Sequence, residues 1–70
     1  MRAEVGHFYR HKKTGGIYCV LHMATIEADK MPAIVYRSEK HDTIWVRPEA
    51  EFCDGRFEKV TDFREVWPEK

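Results

Sequence analysis

Apolar positions along the chain come in short runs, each broken within a few residues by glycine, proline or clustered charge, a rhythm that predicts strands rather than helices. Tyr9 to His11 close a first strand. Lys12-Lys13-Thr14-Gly15-Gly16 then reads as a turn, because paired glycines permit the positive φ that tight reversals require. Ile17 to Ile26 is the longest predicted strand, and its alternation sends Ile17, Cys19, Leu21 and Met23 to one face and Tyr18, Val20, His22 and Ala24 to the other. Both faces are largely apolar, as suits a strand of a small closed barrel or one shared by two packing layers.

Ala28 to Lys30 forms the next predicted turn, and Pro32 suits the start of a strand, where its missing N–H does least harm. Strand three runs from Ala33 to Arg37, Ser38 to Asp42 is a charged turn, and Thr43 to Arg47 is strand four, ended by Pro48. Asp54-Gly55 predicts a two-residue hairpin that makes Phe52 and Phe57 same-face, cross-strand neighbours. The tail reads two ways. Val60, Phe63, Val66 and Trp67 fit a helical spacing, with Asp62 and Glu65 as a capping box, whereas Phe63, Glu65 and Trp67 alternate like an edge strand. The expected architecture is a single domain over residues 1–70, mainly β: a small, curled antiparallel sheet forming an SH3-like barrel of five to six strands, with residues 62–67 either a short C-terminal helical turn or a strand.

Seventy residues bury only about 60% of the surface that the unfolded chain exposes, so a deep catalytic cleft is hard to build. Cys19 and Cys53 are too few for a disulfide framework and match no redox or zinc spacing. No secretory signal or membrane-spanning run is visible, so the expectation is a soluble, cytoplasmic protein without a membrane partner. Twelve basic and twelve acidic residues cancel, which argues against a broad, sequence-blind grip on nucleic acid. The charge is unevenly spread: Arg2, Arg10, Lys12 and Lys13 oppose only Glu4 in the first 23 residues, and acids dominate after residue 49. Such a dipole leaves room for a local anion-attracting patch or for docking between copies.

Tyr9-Arg10-His11-Lys12, a glycine turn, Tyr18 and Val20, then Val35-Tyr36-Arg37, Trp45-Val46-Arg47-Pro48 and Phe52 together resemble a family of small bacterial and phage proteins known as domain of unknown function 1653. The resemblance covers roughly residues 6 to 60 and is most specific at the opening Tyr-Arg-His and at Trp-Val-Arg-Pro. It implies a compact β-rich domain and no established activity. The chain departs from the family pattern at Lys12-Lys13, where an aromatic is usual, at Ser38-Glu39-Lys40-His41-Asp42, in place of a Leu-Tyr-Gly-Asp-like stretch, and at Glu51-Phe52, in place of Met-Phe. If those loops carry ligand contacts in the family, this chain binds something different.

Tyr9, Arg10, His11, Tyr36, Arg37, Trp45 and Arg47 form the main constellation, in which three strands each supply an aromatic with an arginine beside it or two positions on. Trp45 and Arg47 share one face by period two, Ile44 and Val46 the other. With Ile44 and Val46 turned inward, Trp45 and Arg47 stand outside as a pair that can stack a planar group and pin an anion. The structural alternative is that these aromatics lid a core and the arginines lie over them. Lys12 and Lys13 sit in the glycine turn, an anion nest or simply a solvated tip; it is no P-loop, since the Gly-Lys-Ser/Thr order is missing. His7, His11, His22 and His41 show no metal spacing, so no metal or other cofactor is expected. Ser38 with His41 lies in a charged turn, and Glu49, Glu51, Asp54 and Glu58 read as a solvated face, so no activated nucleophile emerges and an enzyme is not expected.

The reading is a non-catalytic module for a phosphate-bearing planar ligand, a nucleotide or a short single strand of nucleic acid, held by Tyr9, Arg10, Lys12, Lys13, Tyr36, Arg37, Trp45 and Arg47. The alternative is a protein–protein adaptor or inhibitor, or a homodimer, acting through a sheet edge and exposed aromatics.

Overall fold

The chain reverses where local chemistry demands it. Between β1 (Phe8–His11) and β2 (Ile17–Thr25), Gly15 has φ 76° and its N–H donates to the His11 carbonyl at 2.7 Å. β3 (Pro32–Ser38) follows a turn in which Lys30 takes φ 61° and the Ile26 N–H donates to the Met31 carbonyl. β4 (Ile44–Pro48) follows another, where the Asp42 N–H donates to the Ser38 carbonyl and Asp42 has φ 56°. A four-residue helix, α1 (Glu49–Phe52), and β5 (Phe57–Lys59) complete the elements among the described residues. This computed structural model describes residues 3–62, so the helix-or-strand question for the tail beyond Asp62 lies outside the described residues.

The protein is mainly β, as expected: the described residues form one antiparallel sheet of five strands in the order β4-β3-β2-β1-β5. Among the described residues the sheet does not close into the expected barrel. β5 pairs with β1 and β4 with β3, which leaves β4 and β5 as two separate edges. The cause lies at residues 49–52, where the hairpin reading needs a strand. After Pro48 the chain instead winds one helical turn, closed by the Cys53 N–H donating to the Glu49 carbonyl at 2.9 Å, with Glu49 and Glu51 favourably placed in the first turn. Asp54-Gly55 is still a turn, with Gly55 at φ 104° and the Asp54 carboxylate accepting from the Arg56 N–H, but it links a helix to a strand rather than two strands. Phe52 and Phe57 do meet, their rings stacked at 4.2 Å and 10°.

A second correction concerns β2. Val20 pairs with Tyr36 and His22 with Val35, so Leu21 is the extra residue of a β-bulge. The bulge reverses the alternation, and Met23, opposite Ile34, shares the face of Tyr18 and Val20 rather than that of Cys19. The core lies on that face: Tyr9, Val20, Ile34, Tyr36, Phe52 and Phe57 are all buried there with Ala3. Its centre is aromatic, with Phe52 meeting Tyr9 at 5.4 Å and Tyr36 at 5.1 Å between ring centroids. α1 is the lid that brings Phe52 down onto β3. Among the described residues no helix is long and apolar enough to cross a membrane.

Candidate functional site

Residues opposite one another in an antiparallel ladder share a face. Trp45 lies opposite Tyr36, Arg47 opposite Ile34, and His11 opposite Phe57. Trp45 and Arg47 therefore belong to the face that carries the core, and Ile44 and Val46 are the pair turned the other way, 60% and 63% exposed. The condition that would have left Trp45 and Arg47 on an outer face is thus reversed. Trp45 still meets solvent, at 51% exposure, because it stands on an edge strand at the rim of the buried cluster.

Beside that rim is an open cavity of about 190 Å³. Its floor is aromatic: Tyr18, Tyr36 and Phe57 meet edge to face, at 5.4 Å for Tyr18 with Tyr36 and 5.7 Å for Tyr18 with Phe57. Trp45 and Arg47 form one wall, His11 and Thr14 another. Arg47 is held in place. Its Nε donates to the Tyr36 hydroxyl at 3.1 Å, and its guanidinium carbon lies 5.9 Å from the Phe57 ring centroid. The Tyr36 hydrogen bond raises the Arg47 pKa above the usual arginine value against the opposing effect of burial, so the wall carries a fixed positive charge. Its Nη–H donors have no hydrogen-bond partner among the described residues.

His11 has its tautomer set by the turn. The Thr14 N–H donates to His11 Nδ1 at 3.3 Å, which leaves the ring proton of the neutral imidazole on Nε2 as a donor. The same ring packs edge-on against Phe57 at 5.0 Å and is shared with a neighbouring cavity of about 440 Å³, lined by His11, Lys12, Lys13 and Arg56. This basic hollow is tied to the sheet at both ends. The His11 N–H donates to the Gly16 carbonyl at 2.8 Å, and the Lys12 N–H to the Arg56 carbonyl at 2.9 Å. Arg56 is partly neutralised by Asp54 at 3.0 Å, whereas among the described residues no carboxylate pairs with Lys12 or Lys13. An aromatic slot with one fixed cation thus adjoins a cationic hollow, an arrangement able to hold a flat ring and an attached anion at once.

Of the residues picked out from the sequence, Tyr36, Trp45 and Arg47 come together at the aromatic cavity, and Lys12 and Lys13 line the adjoining one. Tyr9, Arg10 and Arg37 do not join them. Tyr9 is wholly buried in the core, and its hydroxyl accepts from the Glu4 N–H at 2.8 Å. Arg10 and Arg37 point from the opposite face, because each follows directly on a core-facing tyrosine. Arg10 pairs there with Glu58 at 2.7 Å, and Arg37 with Glu39 at 3.3 Å and Asp42 at 3.6 Å. Thr14, Tyr18, Phe57 and Arg56 were missed. Alternation does set Tyr18 on the same face as Val20, but only the ladder register brings that face to Trp45. Among the described residues no group of three His, Cys, Asp or Glu side chains is placed to hold a metal ion. Cys19 is half-buried, and burial pushes its thiol up, away from the reactive thiolate.

A protein-family model described as "Protein of unknown function (DUF1653)" matches residues 7–64. No curated protein and no solved structure matches the chain.

Proposed function

The chain belongs to the DUF1653 family, and we propose that this member is a non-catalytic cytoplasmic binding module for a phosphate-bearing planar ligand, a nucleotide or a short single strand of nucleic acid. The observation that carries the reading is the junction at His11 of an aromatic cavity holding Trp45 and Arg47 with a basic hollow holding Lys12 and Lys13. A cavity of about 190 Å³ suits one ring system rather than a whole cofactor, since sites for larger ligands run from about 300 Å³ upward. In the bound state the base lies against Trp45 over the Tyr18 and Tyr36 rings, Arg47 and the His11 Nε2–H offer donors to its edge, and the phosphate turns toward Lys12, Lys13 and Arg56.

The test is an amide-shift titration of the labelled protein with adenosine 5′-monophosphate, ribose 5-phosphate, inorganic phosphate and a short oligonucleotide, at two salt concentrations. Shifts are expected at Trp45, Tyr36, Arg47 and the Lys12–Gly16 turn, with the mononucleotide binding more tightly than ribose 5-phosphate. A single strand that neutralises about three charges gives a log–log salt slope near −2, and Trp45→Ala weakens binding by about tenfold, in line with ~1–3 kcal/mol per stacked base. Equal affinity for ribose 5-phosphate and the nucleotide would remove the stacking half of the reading. Affinity that ignores salt would remove the anion half.

A further inference from the structure

Which ring the aromatic cavity accepts depends on the polar groups around it, and two of these have a fixed hydrogen-bonding sense. Arg47 can only donate. With its Nε committed to the Tyr36 hydroxyl at 3.1 Å, its two Nη groups form the free end of the guanidinium fork. His11, on the other wall, accepts at Nδ1 from the Thr14 N–H at 3.3 Å and so presents Nε2–H, a second donor.

The rest of the lining does not restore the balance. The Thr14 hydroxyl oxygen already accepts from the Gly16 N–H at 3.3 Å, and the Tyr36 oxygen accepts from Arg47, so each keeps its proton to donate. Trp45 carries an indole N–H, again a donor only. Among the described residues no carboxylate or amide side chain lines the cavity. Glu51 and Asp54, whose charges act on Arg47 from a distance, are engaged by Arg56 at 4.0 and 3.0 Å and line neither this cavity nor the basic hollow.

A flat ring held here meets an excess of donors, and the fork asks for two acceptors side by side on an edge that the sugar leaves open. Guanine has them in O6 and N7, the pair that a guanidinium meets with two parallel bonds. Hypoxanthine has the same edge. Adenine sets an N6 amine beside N7, so a donor faces a donor and one of the two goes unpaired. Cytosine carries O2 next to its sugar and an N4 amine beyond N3, and uracil separates its two carbonyls by an N–H.

Resting on the nucleotide reading, we infer that the cavity selects a 6-oxopurine, with O6 and N7 of the ring accepting from the Nη groups of Arg47. The ring lies between the two walls, so N3, on the side away from N7, faces the His11 Nε2–H. N3 accepts in guanine, hypoxanthine and adenine alike, which makes His11 a source of affinity and Arg47 the source of selectivity. The sugar leaves the ring toward the basic hollow, where Lys12, Lys13 and Arg56 meet the phosphate whatever the base.

Amide-shift titrations of the labelled whole chain with the 5′-monophosphates of guanosine, inosine, adenosine, cytidine, uridine and 7-deazaguanosine test this. All six carry the same sugar phosphate, so differences between them report on the ring. Guanosine and inosine monophosphate should bind alike and about tenfold or more tighter than the adenosine, cytidine and uridine compounds. The 7-deaza compound, with C–H in place of N7, should fall to the adenosine level. Arg47→Lys keeps the charge but loses the fork, and should bring the guanosine-to-adenosine ratio toward one. If that variant fails to fold, the wild-type comparison of guanosine with 7-deazaguanosine monophosphate measures the same contact. Equal affinity for the guanosine and adenosine compounds with shifts at Trp45 and Tyr36 in both, an undiminished 7-deaza affinity, or a preference for a pyrimidine would overturn the inference and leave the nucleotide reading standing. No shift with any of the six would overturn both.

Discussion

Phe52 is fully buried, and its ring meets Tyr9, Tyr36 and Phe57 at centroid distances of 5.4, 5.1 and 4.2 Å. It sits on the last residue of α1, so one side chain connects the helical lid to the floor of the candidate site. Removing the ring by Phe52→Ala withdraws roughly 170 Å² of apolar surface, worth about 4 kcal/mol at ~25 cal/mol/Å², within the 3–5 kcal/mol usual for such truncations. A chain of 70 residues has a total stability of about 4–10 kcal/mol. The variant should therefore lose from about two-fifths of its stability to all of it. Urea unfolding followed by circular dichroism reads this as a large fall in midpoint or as no transition at all. Phe52→Leu keeps most of the volume and should cost about 1–1.5 kcal/mol, so it separates the loss of packing from a failure to fold. In the leucine variant the Tyr36 and Phe57 amides, which line the cavity, should shift, whereas those of Ile44 and Val46 on the opposite face should not. A loss under about 1.5 kcal/mol for Phe52→Ala, with the urea slope unchanged, would refute the claim that α1 is clamped to the sheet through this residue.

Two further outcomes are expected. Burial holds the Tyr9 phenol above its ordinary pKa, although the hydrogen bond from the Glu4 N–H works the other way, so the unfolded chain gives up this proton first. The stability tied to Tyr9 is thus complete below about pH 10 and lost as pH climbs through the raised value; urea midpoints should fall there in the wild type, while Tyr9→Phe, about 1 kcal/mol less stable at neutral pH through loss of the hydrogen bond from the Glu4 N–H, should show a flatter alkaline limb. Arg10→Ala breaks a pair with Glu58 in which both side chains are at least a third exposed, so it should cost about 1 kcal/mol or less and leave the nucleotide titration unchanged. A marked loss of nucleotide binding in that variant would contradict its position on the face opposite the cavity.

The reversals at Lys12–Gly16, Ala28–Lys30 and Ser38–Asp42 could be read in advance because turn chemistry is local: a glycine that accepts positive φ, or a cluster of charge with no apolar partner, acts within a few residues of itself. The four strands from β1 to β4 followed to within a residue or two, and with them the mainly β class. Alternation likewise established that Trp45 and Arg47 share a face. It could not say which face, since a period of two divides a strand without choosing the side that is buried, and here both sides carry apolar residues. That choice came from the ladder, which set Trp45 against Tyr36, and from α1, which brought Phe52 to one side only. The bulge at Leu21 was equally invisible, because a single unpaired residue leaves no mark in composition yet transfers Met23 to the other face. Asp54-Gly55 announced a turn without announcing what it joins, and one helical turn after Pro48 was enough to replace a hairpin between strands. The division of the arginines follows from the same cause: Arg10 and Arg37 each come one position after a buried tyrosine, and Arg47 comes two positions after a tryptophan at the core rim. Local residue chemistry marks where a chain turns and which side chains alternate, whereas the pairing of distant strands decides which of those side chains meet.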